Sequence, residues 1–340
     1  MGLENSKYNF VVFGSNDELY RISYSELNKY QNVHCIMNYL DVNSKVANFL
    51  FRVHSSAASN RLIDLPFKQV WNPLIFRHKF DYAKPICFIF FSRNQLCNEQ
   101  VISYLKRKYP GSKFVAFWQD LVKYVPMKHF DNMVHNVLDL CLTFDPSDAE
   151  RYGMHYYPLV YSPLETDNTP VVINSDIYFL GKAKDRLTEI LDAYEKFRQA
   201  GLRCDFHIVG VEKEKQKYAD EIDYCDSMTY LENVQHLRQS KCLLEVMQGG
   251  GRGYTIRYAE AIMYDKKIIT NNSEVQNAPF FDPQKIQHFS CVDEIDPLFP
   301  TVDLEDEDYH YKEKLLPSRM LLYVEELLFQ NAGNNGEYNM

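Results

Sequence analysis

The sequence predicts an α/β protein of two domains, each built on a parallel sheet. Three observations lead there. Short apolar runs ending in small or polar residues recur along the chain and alternate with amphipathic segments. The alternation pauses at a Pro, Thr and Asp-rich stretch near residue 165 and then starts again. At 340 residues, the chain is too long for one comfortable core and suits two domains of ordinary size.

Composition narrows the function. Apolar residues make up 46% of the chain and aromatic residues 14%, which marks a globular protein. No apolar run reaches the roughly 20 residues that span a bilayer. Residues 1–8 lack the charged-then-apolar order of a signal peptide. The eight cysteines are scattered and form no CxxC pair, so neither a zinc site nor a disulfide framework is expected, and a reducing cytoplasm is the plain reading. The formal net charge of −9 divides into +2 for residues 1–168 and −11 for the remainder. An acidic chain with no basic stripe excludes a nucleic-acid partner, and the asymmetry points to halves with different tasks.

In the first half the strand-like runs are YNFVVFGSND (8–17), NVHCIMNYL (32–40), PICFIFFSRN (85–94), SKFVAFWQD (112–120) and LDLCLTFD (138–145). Asn98 to Tyr109 reads as an amphipathic helix between two of them. Continuous apolar strands alternating with helices imply a parallel sheet covered on both faces. Ligands of such sheets sit beyond the carboxyl ends of the strands. The polar residues there, Ser15, Asn16, Asp17, Ser92, Arg93, Asn94 and Asp120, are therefore candidate ligand-site groups. RYGMHYYPLVYSP (151–163) and ETDNTP (165–170) read as a linker, which places the boundary near 165–175. The expected domains are 1–168 and 169–318, with a closing helix at 319–330 packing back on the first domain and a mobile tail at 331–340.

The second half repeats the pattern. DIYFLG (176–181) is a strand and residues 184–200 a helix with Leu187, Ile190, Leu191, Tyr194 and Phe197 on one face. FHIVG (206–210), a short piece at 228–230, LLEVM (243–247) and KKIIT (266–270) are the further strands. Val234 to Arg238 reads as a helical turn and Thr255 to Tyr264 as a helix.

The chemistry concentrates in KCLLEVMQGGGRGYTIRYAEAIMYDKKIIT (241–270). A buried strand runs into Gly249, Gly250, Gly251, Arg252 and Gly253, then Tyr254 and Thr255 open a helix. Glycines let a ligand approach the backbone without a Cβ clash. Free N–H groups at the helix start, with the positive end of its dipole, form an anion site suited to a diphosphate. The pattern is neither a Walker A loop nor a first-unit GxGxxG, which argues against an ATPase and a dehydrogenase. Arg257 and Glu260 lie one helical turn apart, and a carboxylate there could accept both hydroxyls of a ribose. Upstream, Gly181 ends the first strand, and Lys182 and Arg186 place two cations where a helix begins. Cations oppose the dipole at a helix start unless an anion is bound between them.

Taken in order (strand, Gly181, Lys182 and Arg186; HIVG; Tyr230-Leu231-Glu232-Asn233-Val234; glycine turn, helix, Glu260, KKIIT) the second half resembles the donor domain of GT-B-fold glycosyltransferases. The closest likeness is to retaining bacterial enzymes of capsule, O-antigen or exopolysaccharide synthesis. It covers about residues 175–285. It implies two Rossmann-like domains with parallel sheets facing across a cleft. It also implies a glycine loop holding the sugar diphosphate, Lys182 and Arg186 neutralising phosphates, Glu260 on the ribose, and backbone near Tyr230 and Asn233 on the base. Two positions depart from the family. Arg252 stands where many retaining members carry a Glu that contacts the donor sugar, and Gly251 stands where relatives carry a polar residue.

The implied reaction moves a glycosyl unit from a nucleoside diphosphate to a glycan or lipid-linked acceptor. In an inverting enzyme Asp120 or Asp17 would be the base; a retaining one needs none. No cofactor or metal is demanded. Asp306-Glu307-Asp308 imitates a DxD motif but reads as a charged loop. His155 and His207 lack ligand spacing, and His207 reads as a structural strand residue. Basic and aromatic residues interleave over 101–130, which would suit peripheral contact with anionic lipid at the inner face of the membrane. A non-catalytic nucleotide-sugar-binding scaffold and a GT-B-like nucleotide-sugar epimerase stand as rivals.

Overall fold

The structure, a computed structural model, describes residues 2–14, 17–37, 44–55, 67–76, 83–91, 96–124, 130–164, 171–248 and 252–334. The chain divides into two compact units, residues 1–157 with 317–340, and residues 158–316. The division falls before the Pro/Thr/Asp-rich stretch at 165–170, not within it. Both units are α/β with wholly parallel sheets, the two-sheet composition expected from the sequence.

Among the described residues the first unit holds six strands: β1 (Asn9–Phe13), β2 (Val33–Ile36), β3 (Ile86–Phe91), β4 (Lys113–Trp118), β5 (Leu140–Thr143) and β6 (His155–Tyr156). Their order across the sheet is β2-β1-β3-β4-β5-β6. Every residue of β1 and β3 is buried, as a central parallel strand covered by helices on both faces must be. The Glu99–Lys108 helix covers one face with Val101, Ile102 and Leu105, and its N-cap Asn98 accepts from the Val101 N–H at 3.0 Å. β6 was read from sequence as linker; instead His155 pairs beside Leu142 and extends the sheet by one short parallel strand. The Pro317–Asn334 helix returns to this unit. Glu26 accepts from the Ser318 N–H at 3.1 Å, Phe329 lies 6.0 Å from Tyr8, and Glu325 accepts from the Lys7 N–H at 2.9 Å.

The second unit holds β7 (Ser175–Lys182), β8 (Cys204–Val209), β9 (Ser240–Glu245), β10 (Lys267–Thr270) and β11 (Ile286–His288), ordered β11-β10-β9-β7-β8. Side chains of β7 alternate between two cores. Ile177 and Phe179 meet the Leu187–Gln199 helix, and Tyr178 faces the Tyr230–Arg238 and Ile256–Met263 helices. One expectation is corrected: residues 228–230 form no strand. Thr229 caps a nine-residue helix, Tyr230–Arg238, through a capping box with Glu232. That local pairing outweighs the β propensity of Met228-Thr229-Tyr230. β11 is a further strand, too short and mixed to stand out as an apolar run.

All eight cysteines are free. Among the described residues no helix is long and apolar enough to cross a membrane. Among the described residues of 101–130, several of the interleaved basic and aromatic side chains are drawn into the unit. Tyr109, Phe114, Phe117 and Trp118 are buried in the core, because β4 is an interior strand, while Lys106 and Lys113 are tied down by the Val137 carbonyl and Asp139.

Candidate functional site

In each sheet the strand order reverses once, and the crevice at that reversal is where α/β sheets bind ligands. In the second unit the chain leaves β7 toward β8 on one side and returns to β9 on the other, so the reversal lies between the carboxyl ends of β7 and β9. The residues singled out from sequence lie there. Lys182 is the last residue of β7 and is exposed, and Arg186 is the N-cap residue of the Leu187–Gln199 helix.

Arg186 joins the two strands. Its Nη2 donates to the Lys182 carbonyl at 2.6 Å and its Nη1 to the Val246 carbonyl at the exit of β9. At Gly181 a Cβ would stand 2.9 Å from the Phe179 ring, so the glycine leaves room for that ring, while Arg186 Nη2 at 3.6 Å would be in ordinary contact. Burial lowers the Arg186 pKa. Its Nε–H is buried without a hydrogen-bond partner, a deficit worth about 1–3 kcal/mol. Between the two cations, Lys184 adopts a left-handed conformation, φ 45°, and its Nζ donates to Gln248 Oε1 at 2.6 Å. A non-glycine residue held at positive φ marks a turn that its surroundings over-determine.

The far side of this turn is also fixed. Asn271 Oδ1 accepts from the Met247 N–H at 2.6 Å. Gly250 and Gly251 lie outside the described residues. Arg252 Nε stands 4.0 Å from Glu274 Oε1, the Gly253 carbonyl accepts from Asn272 at 3.4 Å, and Tyr254 is buried with its hydroxyl on the Glu274 carbonyl. Thr255 caps the Ile256–Met263 helix, accepting from the Arg257 N–H at 3.2 Å and donating to Glu245. Sequence reasoning passed over Glu245. It ends β9 almost fully buried and accepts from Thr255 and Thr270, which fastens the helix start to two strands. Burial raises its pKa against the pull of those hydrogen bonds. The signal for it was a lone Glu closing an otherwise apolar strand.

Glu260 is 0% exposed and its oxygens are engaged. One accepts from Tyr230 Oη and from Asn233 Nδ2, each at 2.9 Å, and the other from Arg257 Nη1 at 2.5 Å. Arg257 reaches on to Asn233 Oδ1 at 3.0 Å and to the Leu180 carbonyl at 2.8 Å. Burial works against the Arg257 charge, yet Glu260 raises its pKa. Burial, with Glu260 adding to it, also pushes the Tyr230 phenol well up. The structure thus brings Tyr230, Asn233 and Glu260 together, but as an internal cluster. A ribose contact of the kind expected from sequence requires Tyr230 or Asn233 to give up its place.

In the first unit the reversal lies between β1 and β3. Ser15 and Asn16 follow β1 and Ser92, Arg93 and Asn94 follow β3; all five lie outside the described residues. Asp17 stands at the N-cap of the Glu18–Ser23 helix without capping it through its side chain. Asp120 follows β4, one strand farther along, and its Oδ1 accepts from the Leu121 N–H at 3.0 Å. The DxD-like segment is a loop, with Asp306 bonded to His310 at 2.7 Å.

Neither a family model nor a curated protein matches the chain. Among solved structures it is similar to TarM, with 10% identity, a TM-score of 0.46, and 73% of this chain and 54% of that one covered. It is similar to a glycotransferase of kitacinnamycin, with 9% identity, a TM-score of 0.47, and 95% and 99% covered. It is also similar to the glycosyltransferase SnogD from Streptomyces nogalater, with 9% identity, a TM-score of 0.45, and 94% and 100% covered. The chain thus spans about half the length of TarM. No residue role follows from likeness of that order.

Proposed function

We propose that the chain is a glycosyltransferase whose second unit holds a nucleoside-diphosphate sugar at the carboxyl ends of β7 and β9. The observation that supports this most directly is Arg186. It bridges the two strands that flank the reversal, and its donors go to neutral carbonyl oxygens, not to a carboxylate. Among the described residues no carboxylate pairs with it directly, and Asp185, Glu189 and Glu245 act on its charge only from a distance, whereas Glu260 is bonded to Arg257. A diphosphate seated there would supply the missing partner, and a shift of the guanidinium toward it would satisfy the orphan Nε–H. Lys182 and Lys184 add charge at the same turn.

As the glycosyl bond breaks, negative charge grows on the diphosphate, and these fixed cations with the capped helix start would stabilise it more than they stabilise the bound donor. The sugar would pass to a glycan or lipid-linked acceptor in surface-polysaccharide synthesis, on groups at the reversal of the first sheet. Asp17 and Asp120 are the bases available to an inverting reaction. A second reading, donor binding without transfer, draws on Arg252, which stands where retaining family members carry a Glu.

Thermal-shift screening against UDP, GDP, CDP, ADP and dTDP is the test. One nucleotide is expected to raise the unfolding midpoint. Arg186→Ala is expected to weaken its binding by about 1.5–3 kcal/mol, the range for hydrogen bonds to charged groups. No shift with any of the five overturns the proposal. Nucleotide release only when acceptor is present separates transfer from binding alone.

A further inference from the structure

At the outer edge of the second sheet, on the face that carries Tyr178, three metal-ligating side chains converge that neither the sequence reading nor the proposed transfer uses. Asp205 and His207 are two residues apart on β8 and so project from the same face. His236 reaches them from the Tyr230–Arg238 helix. His207 Nε2 stands 2.8 Å from Asp205 Oδ1 and His236 Nδ1 stands 2.7 Å from Asp205 Oδ2. The donor atoms of the three residues all lie within 4.8 Å of one another. We propose that Asp205, His207 and His236 bind one divalent transition-metal ion of the zinc class.

Three features favour an ion over a plain hydrogen-bond network. The first is the far side of His207. Asp223 Oδ2 lies 2.7 Å from Nδ1, and Asp223 is itself fixed by backbone bonds to β8, from the Ile208 N–H at 2.9 Å and to the Phe206 carbonyl at 3.0 Å. A carboxylate holding the second imidazole nitrogen is the usual support of a ligating histidine; it sets Nδ1 as donor and turns the Nε2 lone pair inward. Nε2 then faces the Asp205 carboxylate, and a cation between them, taking the place of a second ring proton, makes the contact favourable.

The second is charge. With both rings neutral, as ligation requires, the two carboxylates leave −2, which one divalent ion would cancel in place of the two ring protons. The third is access. The His207 side chain is 9% exposed, Asp205 27% and His236 36%, so one ligand is anchored inside while the others stand at the rim, where solvent can complete the shell. Two imidazoles and one carboxylate suit zinc and its neighbours rather than magnesium or calcium. At metal–ligand bonds of about 2.0–2.2 Å, tetrahedral ligands stand about 3.3 Å apart, so Asp205 needs to draw back from each ring by about half an ångström. His236 stacks against Tyr178, 5.9 Å between centroids, and Tyr178 donates to Asn233 at 3.0 Å. The ion would therefore tie the helix carrying Tyr230 and Asn233 to the sheet edge.

The test is titration of the chelator-stripped full chain with Co²⁺, followed by its visible ligand-field absorption, and then displacement by Zn²⁺. One ion per chain is expected. His236→Ala and the bulkier His236→Gln are expected to lose the signal with far-UV circular dichroism unchanged. Asp223→Asn is expected to weaken binding about 10–100-fold, as loss of an outer partner does. His310→Ala, which removes the separate surface pair with Asp306, is expected to bind like wild type. Absence of Co²⁺ absorption in the wild-type chain, or equal affinity in both His236 variants and wild type, overturns the proposal.

Discussion

Both sheets bury rings, but among the described residues the ion pair on a fully buried carboxylate, Glu260 with Arg257, belongs to the five-stranded one. Phe13 stacks on Phe90 with centroids 4.9 Å apart, Phe88 on Phe114 at 5.3 Å, and Tyr24 packs on Phe91 at 4.3 Å. At the same depth in the second unit lie Glu245 and Glu260, 4% and 0% exposed, the latter paired with Arg257. Rings gain stability from contact area shared among many neighbours. A buried ion pair costs desolvation on both sides and is stable only while each partner is present. The contrast places the tightly specified polar geometry in the unit that carries the candidate donor site.

The largest effect that tests this comparison is Glu260→Ala. It leaves the Arg257 cation buried without its carboxylate, and a loss of about 3–5 kcal/mol is expected. Both tryptophans, Trp71 and Trp118, belong to the first unit. The midpoint read by circular dichroism should therefore fall while the tryptophan fluorescence transition holds its place, if the units unfold separately. Replacing the pair together, Glu260→Met with Arg257→Met, should recover most of the loss. Phe90→Ala in the first unit should cost a similar amount, about 3–5 kcal/mol, and no second substitution of a charged residue should rescue it.

A smaller effect is expected from Thr229→Ala, which removes the cap of the Tyr230–Arg238 helix and should cost about 1 kcal/mol in urea unfolding. A pH-dependent effect is expected at Asp176, whose carboxylate accepts three hydrogen bonds from Arg203, at 3.0, 3.1 and 3.0 Å. Those bonds outweigh burial and lower its pKa to about 2, below the unfolded value of about 3.9. A depressed carboxylate contributes stability above its unfolded pKa and loses it as the folded value is crossed from above. The melting difference between wild type and Asp176→Asn should accordingly be full above pH 4 and vanish toward pH 2. A difference that persists unchanged at pH 2 would show that charge at this position is irrelevant.

Strands were the most legible part of the sequence, because continuous runs such as ICFIFF can be satisfied only inside a parallel sheet. Surfaces were less legible for the same reason. An interior strand buries both of its faces, so alternation could not tell that Phe117 and Trp118 point into the core rather than toward a lipid surface. The Tyr230–Arg238 helix was hidden behind β-prone residues, although Thr229 and Glu232 carried its capping signal. At the candidate donor site Gly181, Lys182 and Arg186 were legible as a group. Which of them joins the strands was not, since that depends on the Val246 carbonyl of a strand some sixty positions away. The Asp205, His207 and His236 cluster was out of reach, because nothing local announces that a helix will bring His236 against β8.

The return of the Pro317–Asn334 helix to the first unit bears on the order of synthesis. Residues 158–316 enter and leave side by side, with the Tyr161 N–H bonded to the Leu315 carbonyl at 2.7 Å. This middle segment has all its strands as soon as it clears the ribosome. The unit that begins first still waits for Ser318, Tyr323 and Phe329 to reach Glu26, Tyr157 and Tyr8. On the ribosome the interior of the chain should mature ahead of its beginning.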